Sequence, residues 1–302
     1  MNKFAIIGDS TCDLTPELSK KHDIDYCRMM VSWTDSDKKE HEIYASLEWD
    51  QGVSHAEYFD ILAGGTRIFT TQVTEQEYER VFGAHLEKGE DVLYIACSGA
   101  LSASVKLAEK LVSKFEAKFP GRKVLVVDSL IACIGQGSLL IKASDLRKEG
   151  KSIEEVRDWV EEHKLEFHQL ATVENLDTLK KAGRVKAASA FFGNLFGVKP
   201  ILISDAHGNN VACEKVKGRR NALLRIVELV KGEVRNPKEQ ICYISSAEAK
   251  PEDVELLVSN LKKEIPFKDI IVVPMGPIIG ATTGKGTIGV YFVGDKVTTV
   301  GD

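Results

Sequence analysis

One short grammar recurs in the first half of the chain, and it narrows the possible folds more than any other feature. Val92-Leu93-Tyr94-Ile95-Ala96 runs into Ser98-Gly99 and a helical stretch through Leu111, and Val124-Leu125-Val126-Val127 runs into Asp128-Ser129 and a helical stretch near Ser138. Short apolar strands alternating with helices imply parallel strands joined by crossover helices. Phe4 to Ile7 fits the same scheme as a first buried strand ended by Gly8, followed by Thr15-Pro16, an N-cap with proline at the first helical position. In such sheets ligands collect beyond the carboxyl ends of the strands, which places Asp9-Ser10, Ser98 and Asp128-Ser129 on one expected rim.

Between these units, Tyr26 to Val31 reads as a second strand, Thr34 to Glu42 as a charged excursion, and Ala56 to Leu62 as a helix broken by Ala63-Gly64-Gly65. Ser152 and Glu155 make a capping box for a helix with Ile153, Val156, Trp159 and Val160 on one face, which closes the first half. From about Glu166 the rhythm changes: Phe167 to Val173 reads as a strand, Asn175 to Ala182 as a helix stopped by Gly183, and Phe191, Phe192, Leu195 and Phe196 mark another apolar helix. Pro200 to Ser204 and Val211 to Val216 flank Ala206-His207-Gly208-Asn209-Asn210, the best hairpin signal in the chain, so antiparallel pairing enters there. Helices near Asn221 to Val230 and Glu252 to Ile265, with strands near Ile241 to Ile244, Ile270 to Val273 and Ile288 to Val293, complete a second layer. The expected fold class is α/β in two domains: residues 1–165 with a Rossmann-like parallel sheet and flanking helices, and residues 166–302 with a mixed sheet. A length of 302 residues is enough for two such cores.

Composition excludes several functions. A formal charge of -5 gives no reason to expect a nucleic-acid partner. The six cysteines include no CxxC pair and no Cys/His spacing that would gather a tetrahedral metal, so they read as reduced, mostly buried thiols. No stretch approaches the roughly 20 apolar residues of a membrane span, and Phe4 to Ile7 is too short for a signal peptide, so the expected location is cytoplasmic. Gly276 to Thr287 imitates a phosphate-binding loop, but Gly280 and Gly284 bracket three residues rather than four, and Gly286 follows Lys285 where Ser or Thr belongs. It is read as a Gly-rich, hydroxyl-bearing turn suited to the polar end of a mostly apolar ligand. Gly135-Gln136-Gly137 lacks the third glycine of a dinucleotide fingerprint, and Ser98 has Ala96 and Ala100 where a nucleophile elbow needs glycines. The seven histidines stand in polar, helix-like or turn contexts and read as surface residues.

Two kinds of candidate remain. Thr70-Thr71-Gln72-Val73-Thr74 precedes a helix starting near Glu75, and hydroxyls with unpaired amides at a helix start suit a carboxylate or phosphate. The same stretch also fits simple N-capping, because Thr74 and Glu77 match a capping box. Ser98, Ser102 and Ser104 carry the same two readings at the next strand-to-helix turn. The second candidate is basic: Lys180, Lys181, Arg184 and Lys186, then Lys215, Lys217, Arg219 and Arg220, which read either as solvated helix ends or as a docking surface for an acidic or phosphorylated partner.

Taken in order, these segments resemble the DegV family, whose members bind fatty acids, and in particular the carrier subunit of two-component bacterial fatty acid kinases. Gly8-Asp9-Ser10-Thr11-Cys12-Asp13-Leu14 is similar to the family's T-D-S-x-x-D-L, with Gly8 replacing Thr. Thr70 to Thr74 looks like T-S-Q-P-S, and Ser98 to Ser104 resembles S-S-x-L-S-G-T with changes at Gly99, Ala103 and Ser104. Val127-Asp128-Ser129, Lys180 to Val185 and Val198-Lys199-Pro200-Ile201-Leu202 are similar to V-D-S, L-x-x-G-G-R-I and I-K-P-I-L, so the resemblance covers essentially the whole chain. It implies that Thr70 or Thr71, with Ser98 or Ser102, holds a lipid carboxylate, while Arg184, and Lys217 in place of an arginine, face a kinase partner. Where the family typically reads H-x-G-P-G this chain reads Thr282-Thr283-Gly284-Lys285-Gly286. Thr282 stands for the histidine that helps bind the carboxylate; it can donate a hydrogen bond but carries no charge, and the direction of Lys285 is left open.

The resemblance further implies a dry tunnel at or near the domain interface, with a bound fatty acid as ligand, no cofactor, no metal and no catalytic residue. Burying sixteen carbons at about 0.8 kcal/mol each supplies roughly 12 kcal/mol, comparable with association costs of about 4 to 15 kcal/mol. The carboxylate end needs several converging donors, or it binds protonated. Three functions stay open: presentation of the acid to a separate ATP-dependent kinase, lipid storage or sensing without phosphorylation, and an acyl hydrolase or transferase using Ser98 or Cys97. Contact with a membrane surface would be transient, without a span.

Overall fold

The computed structural model describes residues 3–49, 51–174, 176–186 and 197–301. The order opens with β1 (Phe4–Asp9), α1 (Pro16–His22), β2 (Ile24–Cys27), β3 (Met30–Thr34), β4 (Glu40–Tyr44), α2 (His55–Ala63), β5 (Phe69–Thr70) and α3 (Glu75–Glu87). It continues through β6 (Asp91–Ala96), α4 (Ser104–Lys118), β7 (Val124–Asp128), α5 (Cys133–Lys148) and α6 (Ile153–His163). Next come β8 (Phe167–Thr172), α7 (Leu176–Ala182), β9 (Val185–Lys186), β10 (Val198–Ser204), β11 (Asn210–Lys217) and α8 (Arg219–Glu233). The order closes with β12 (Ile241–Ser246), α9 (Pro251–Glu264), β13 (Asp269–Pro274), α10 (Pro277–Thr283) and β14 (Ile288–Val293).

The fold is mixed α/β. Strands β2-β1-β6-β7 form a four-stranded sheet in which every pairing is parallel. β1 and β6 are buried at every position, as strands covered on both faces must be. A seven-stranded sheet, β13-β12-β14-β8-β10-β11-β9, takes all its strands from after Glu166 and mixes parallel with antiparallel pairs. β10 and β11 are the antiparallel pair that flanks the Ala206 to Asn210 turn.

Helix α5 joins the two sheets. Eleven of its residues, from Cys133 to Leu146, are buried, on all sides rather than along one stripe, which is the pattern of a helix enclosed by protein. It packs against β1, β2 and β6 on one side and β8, β12 and β14 on the other. Gly135 and Gly137 explain themselves here: a Cβ at Gly135 would lie 2.8 Å from the Tyr291 ring of the second sheet, and one at Gly137 would lie 2.5 Å from the Cys12 carbonyl. These glycines serve close packing on both faces. Tyr243, Val273, Met275, Ile278 and Tyr291 consequently share one apolar core with the first sheet.

Three expectations are corrected. Tyr26 to Val31 is not one strand: β2 ends at Cys27 and β3 begins at Met30, in different sheets. Side chains take over the ladder at the break, since the Arg28 amide donates to Glu77 Oε1 at 2.8 Å and the Met29 amide to Ser10 Oγ at 2.8 Å. Thr34 to Glu42 is not an excursion but the turn and flanks of an antiparallel hairpin, completed by β5 into a three-stranded sheet β4-β3-β5. Its charges are turn chemistry, with Asp35 accepting from the Asp37 and Lys39 amides and bonded to His41. The stretch read as a turn at Gly276 to Thr287 contains α10, begun by Pro277 at the first helical position and ended by Gly284. The apolar helix expected around Phe191, Phe192, Leu195 and Phe196 lies outside the described residues. No helix among the described residues is long and apolar enough to cross a membrane.

Candidate functional site

The rim beyond the first sheet is organised by Asp9. Its carboxylate is fully buried and accepts from the Thr11 amide at 3.1 Å, the Tyr94 hydroxyl at 2.9 Å and the Cys97 amide at 2.9 Å. The Thr11 hydroxyl lies between Asp9 and Gln136, 2.7 Å from the latter. Asp128 fixes the neighbouring turns through the amides of Gly99 and Leu130. The residues expected on one rim therefore meet, but Asp9 and Asp128 are spent on the protein's own backbone.

Beside this rim lies a cavity of about 230 Å³ whose lining includes Thr70, Thr71, Ser102, Thr282 and Arg184. Four separate segments supply it: the end of β5, the turn before α4, α10, and the stretch between α7 and β9. The hydroxyls differ in the donor capacity they keep. Thr71 Oγ1 accepts from the Met30 amide at 3.1 Å, which leaves its proton free, and Ser102 Oγ pairs with Ser104 Oγ at 2.9 Å. Thr282 Oγ1 donates its one proton, over a long 3.4 Å, to the Ile278 carbonyl, so it becomes a donor to the cavity on leaving that back-bond. Helix α4 begins at this wall with Ala103 as an N-cap that offers no side-chain bond; its Ser104 amide donates to Ser102 Oγ at 3.3 Å, and the helix start adds a positive dipole end. Leu101, Ile278, Ile279 and Met29 supply an apolar side.

Capping and binding separate by residue within Thr70 to Thr74. Thr74 caps α3, accepting from the Glu77 amide at 3.2 Å. Glu77 does not complete the box, because its carboxylate is taken by Arg28 and Arg80, so the cap is one-sided. Thr70 and Thr71 face the cavity instead.

Ser98 does not line the cavity. It is fully buried, its hydroxyl donates to the Gly208 carbonyl at 2.8 Å and accepts from the Ala100 amide at 3.2 Å, and it thereby ties the first half to the β10–β11 hairpin. Cys97 does line it, but burial pushes its thiol well up, and the Asp9 charge adds to the rise. Neither side chain is activated as a nucleophile where it stands. Arg184 is exposed, donates to the Ala182 carbonyl at 2.7 Å, and reaches the cavity wall. Lys217 is exposed at the far end of β11. Because Val185 pairs with Asn210, about seven residues at ~3.3 Å each separate the two cations by roughly 23 Å. Lys285 turns outward to pair with Asp60 on α2, and Arg219 is held by Asp253 at 3.0 Å.

Asn210 was not singled out by sequence reasoning. Its side chain also lines the cavity, with Oδ1 occupied by Gln169 Nε2 at 3.0 Å, so its amide protons remain available. A second hollow of about 140 Å³ adjoins the first, sharing Thr70, Thr282 and Arg184, and adds Thr66, Arg67, Thr178 and Lys181.

Asp13, four residues beyond Asp9, is also buried, but only Oδ2 is partnered, by the Cys133 thiol at 2.9 Å. Oδ1 faces Gly276 and makes no hydrogen bond of good geometry. Burial raises this carboxyl from its ordinary 3.8 to about 7, against the opposing pull of the Cys133 hydrogen bond. Among the described residues no group of three or more His, Cys, Asp or Glu is disposed to hold a metal ion.

Comparison with known proteins agrees with this architecture. A DegV domain-containing protein of Clostridium perfringens is 32% identical over 295 residues, 98% of this chain and 99% of the relative. Among solved structures, a DegV family protein of Thermus thermophilus described for its fatty acid binding is 27% identical with a TM-score of 0.84, covering 97% of this chain and 99% of that one. A DegV lipid-binding protein of Thermotoga maritima is 25% identical with a TM-score of 0.81, covering 98% and 100%. The family model described as "Uncharacterised protein, DegV family" matches residues 3–295, and with that span and these relatives, the chain belongs to the DegV family.

Proposed function

We propose that this protein binds one long-chain fatty acid, with the carboxylate among Thr70, Thr71, Ser102 and Thr282 and the acyl chain leaving along Leu101, Ile278 and Ile279. The observation that carries the reading is the convergence of hydroxyls from three distant segments on one partly apolar cavity. The fatty-acid binding described for the Thermus thermophilus relative supports it. Arg184 and the positive dipole end at the start of α4 supply the positive charge that Thr282 cannot. A volume of about 230 Å³ suits a head group, whereas pockets for larger ligands run to ~300–1,000 Å³, so the chain is accommodated by parting of the apolar side. Native mass spectrometry of protein purified from cells tests this: a bound acyl chain is expected, and absence of any, together with no uptake of added palmitate or oleate, rejects it.

In the finer form of the proposal the bound acid is presented to a separate fatty acid kinase, with Arg184 and Lys217 on the docking side. A second reading is storage or sensing without phosphorylation, favoured by Thr282, whose neutral hydroxyl is turned back to Ile278. Supplying such a kinase with ATP separates them, since acyl-phosphate formation supports presentation and loading without turnover supports storage.

A further inference from the structure

β13, the outer strand of the seven-stranded sheet, lacks the guards that other edge strands of the molecule carry. β9, at the opposite edge, is two residues long, and β4, at the edge of the small sheet, carries exposed Glu40 and Glu42. Short strands and charges are the usual means of keeping an edge from pairing. β13 instead runs six residues, Asp269-Ile270-Ile271-Val272-Val273-Pro274, in unbroken register with β12 and with no strand on its outer side among the described residues. Val272 is 44% exposed. The Met275 amide bonds inward to the Ser246 carbonyl, so by alternation Ile270, Val272 and Pro274 turn their backbone groups outward. Pro274 has no amide to leave unpaired there, and the Ile270 amide is held by the neighbouring Asp269 carboxylate at 2.8 Å. The Val272 N–H and C=O are left open.

We propose that this edge pairs two copies of the chain, antiparallel about a two-fold axis at Val272, with α9 of each copy beside α9 of the other. The occupant is a second copy because the surface is complementary in charge to itself. As the crossover between the parallel strands β12 and β13, α9 runs opposite to β13, so the same axis sets the two α9 helices antiparallel. Asp253 and Glu264 mark the flank of α9 turned to α8, through Arg219 at 3.0 Å and Lys231 at 2.8 Å. At about 3.6 residues per turn, Glu255, Val258 and Lys262 lie on the other flank, toward the β13 edge. Glu255 and Lys262 are exposed and, among the described residues, have no ion pair. From Glu264 back to Val258 is about 9 Å of helix, and from Asp269 on to Val272 about 10 Å of strand, so one axis passes both Val272 and the middle of α9. The acidic first half of α9, with Glu252 and Glu255, then meets the basic second half of its copy, with Lys262 and Lys263, and the two-fold makes this contact twice. At the axis the two Val272 residues exchange a pair of backbone hydrogen bonds.

The test is sedimentation velocity of the full chain from micromolar to millimolar concentration. A reversible dimer is expected, weakening as salt rises. Val272→Lys, at an exposed position, is expected to raise the dissociation constant about tenfold or more while leaving the thermal midpoint of the dilute monomer unchanged. Glu255→Lys or Lys262→Glu alone is expected to weaken the dimer, and the two together in one chain to restore it, a rescue that a folding defect does not mimic. The mass of one chain at every concentration overturns the proposal and leaves the edge to some other extended chain. A dimer indifferent to Val272→Lys, or single charge reversals without rescue by the pair, overturns it as well. Neither β13 nor α9 lines the cavity or the adjoining hollow, so the proposal stands or falls independently of fatty-acid binding.

Discussion

The Asp9 to Asp13 loop and the wall of Thr70, Thr71, Ser102 and Thr282 are equally polar and lie side by side, yet they spend their polar groups differently. In the loop, the Asp9 carboxylate, the Thr11 hydroxyl and the Ser10 hydroxyl are all taken by the protein's own amides and side chains. On the wall, the Thr71 hydroxyl and the Asn210 amide have protons left over. A family motif can therefore be a scaffold in one place and leave donors open in the next, and hydrogen-bond satisfaction tells them apart better than residue type does.

The sharpest way to break this contrast is Asp9→Ala. It strips partners from the Thr11 and Cys97 amides and the Tyr94 hydroxyl, and a loss of about 3 to 5 kcal/mol is expected in urea unfolding. A loss below about 1 kcal/mol would show that the rim does not depend on it.

Asp13→Asn probes the one under-partnered group of the loop. Because the folded-state value is raised, the native protein holds the Asp13 proton more tightly than the unfolded chain does. That contribution is complete below pH 3.8 and is lost as pH rises to about 7. Wild type should lose stability across this window, by at most about 4 kcal/mol, and the Asn variant should show a flatter profile. Thermal unfolding at several pH values checks this, and parallel profiles for the two proteins would contradict it.

Smaller effects should follow on the wall. Thr74→Ala removes a cap and should cost about 1 kcal/mol without changing fatty-acid retention. Thr70→Val with Thr71→Val should move stability by only about 0.5 kcal/mol but weaken fatty-acid retention about tenfold. Stability loss in the ligand-free form as large as that of Thr74→Ala would reassign these two hydroxyls to structure.

Much of the architecture was legible because its signals are local. β6, β7, the Ser152 capping box and the β10–β11 hairpin each announce themselves within a dozen residues. The three-stranded sheet was not, since β5 has only two residues and the break at Arg28 depends on Ser10 and Glu77, which are distant in sequence. At the cavity, Thr70, Thr71, Ser102 and Thr282 were named through ordered motifs, whereas Asn210 was absorbed into the turn reading. Arg67 belongs to no motif, and only folding brings it beside Lys181 and Arg184.

The buried helix shared by both sheets has a mechanical corollary. Separating the halves like the covers of a book would pull α5 out of one face and expose apolar surface to water on a scale no small guest could offset. A ligand of the kind proposed would therefore have to enter and leave by a local opening while the spine of the molecule stays shut.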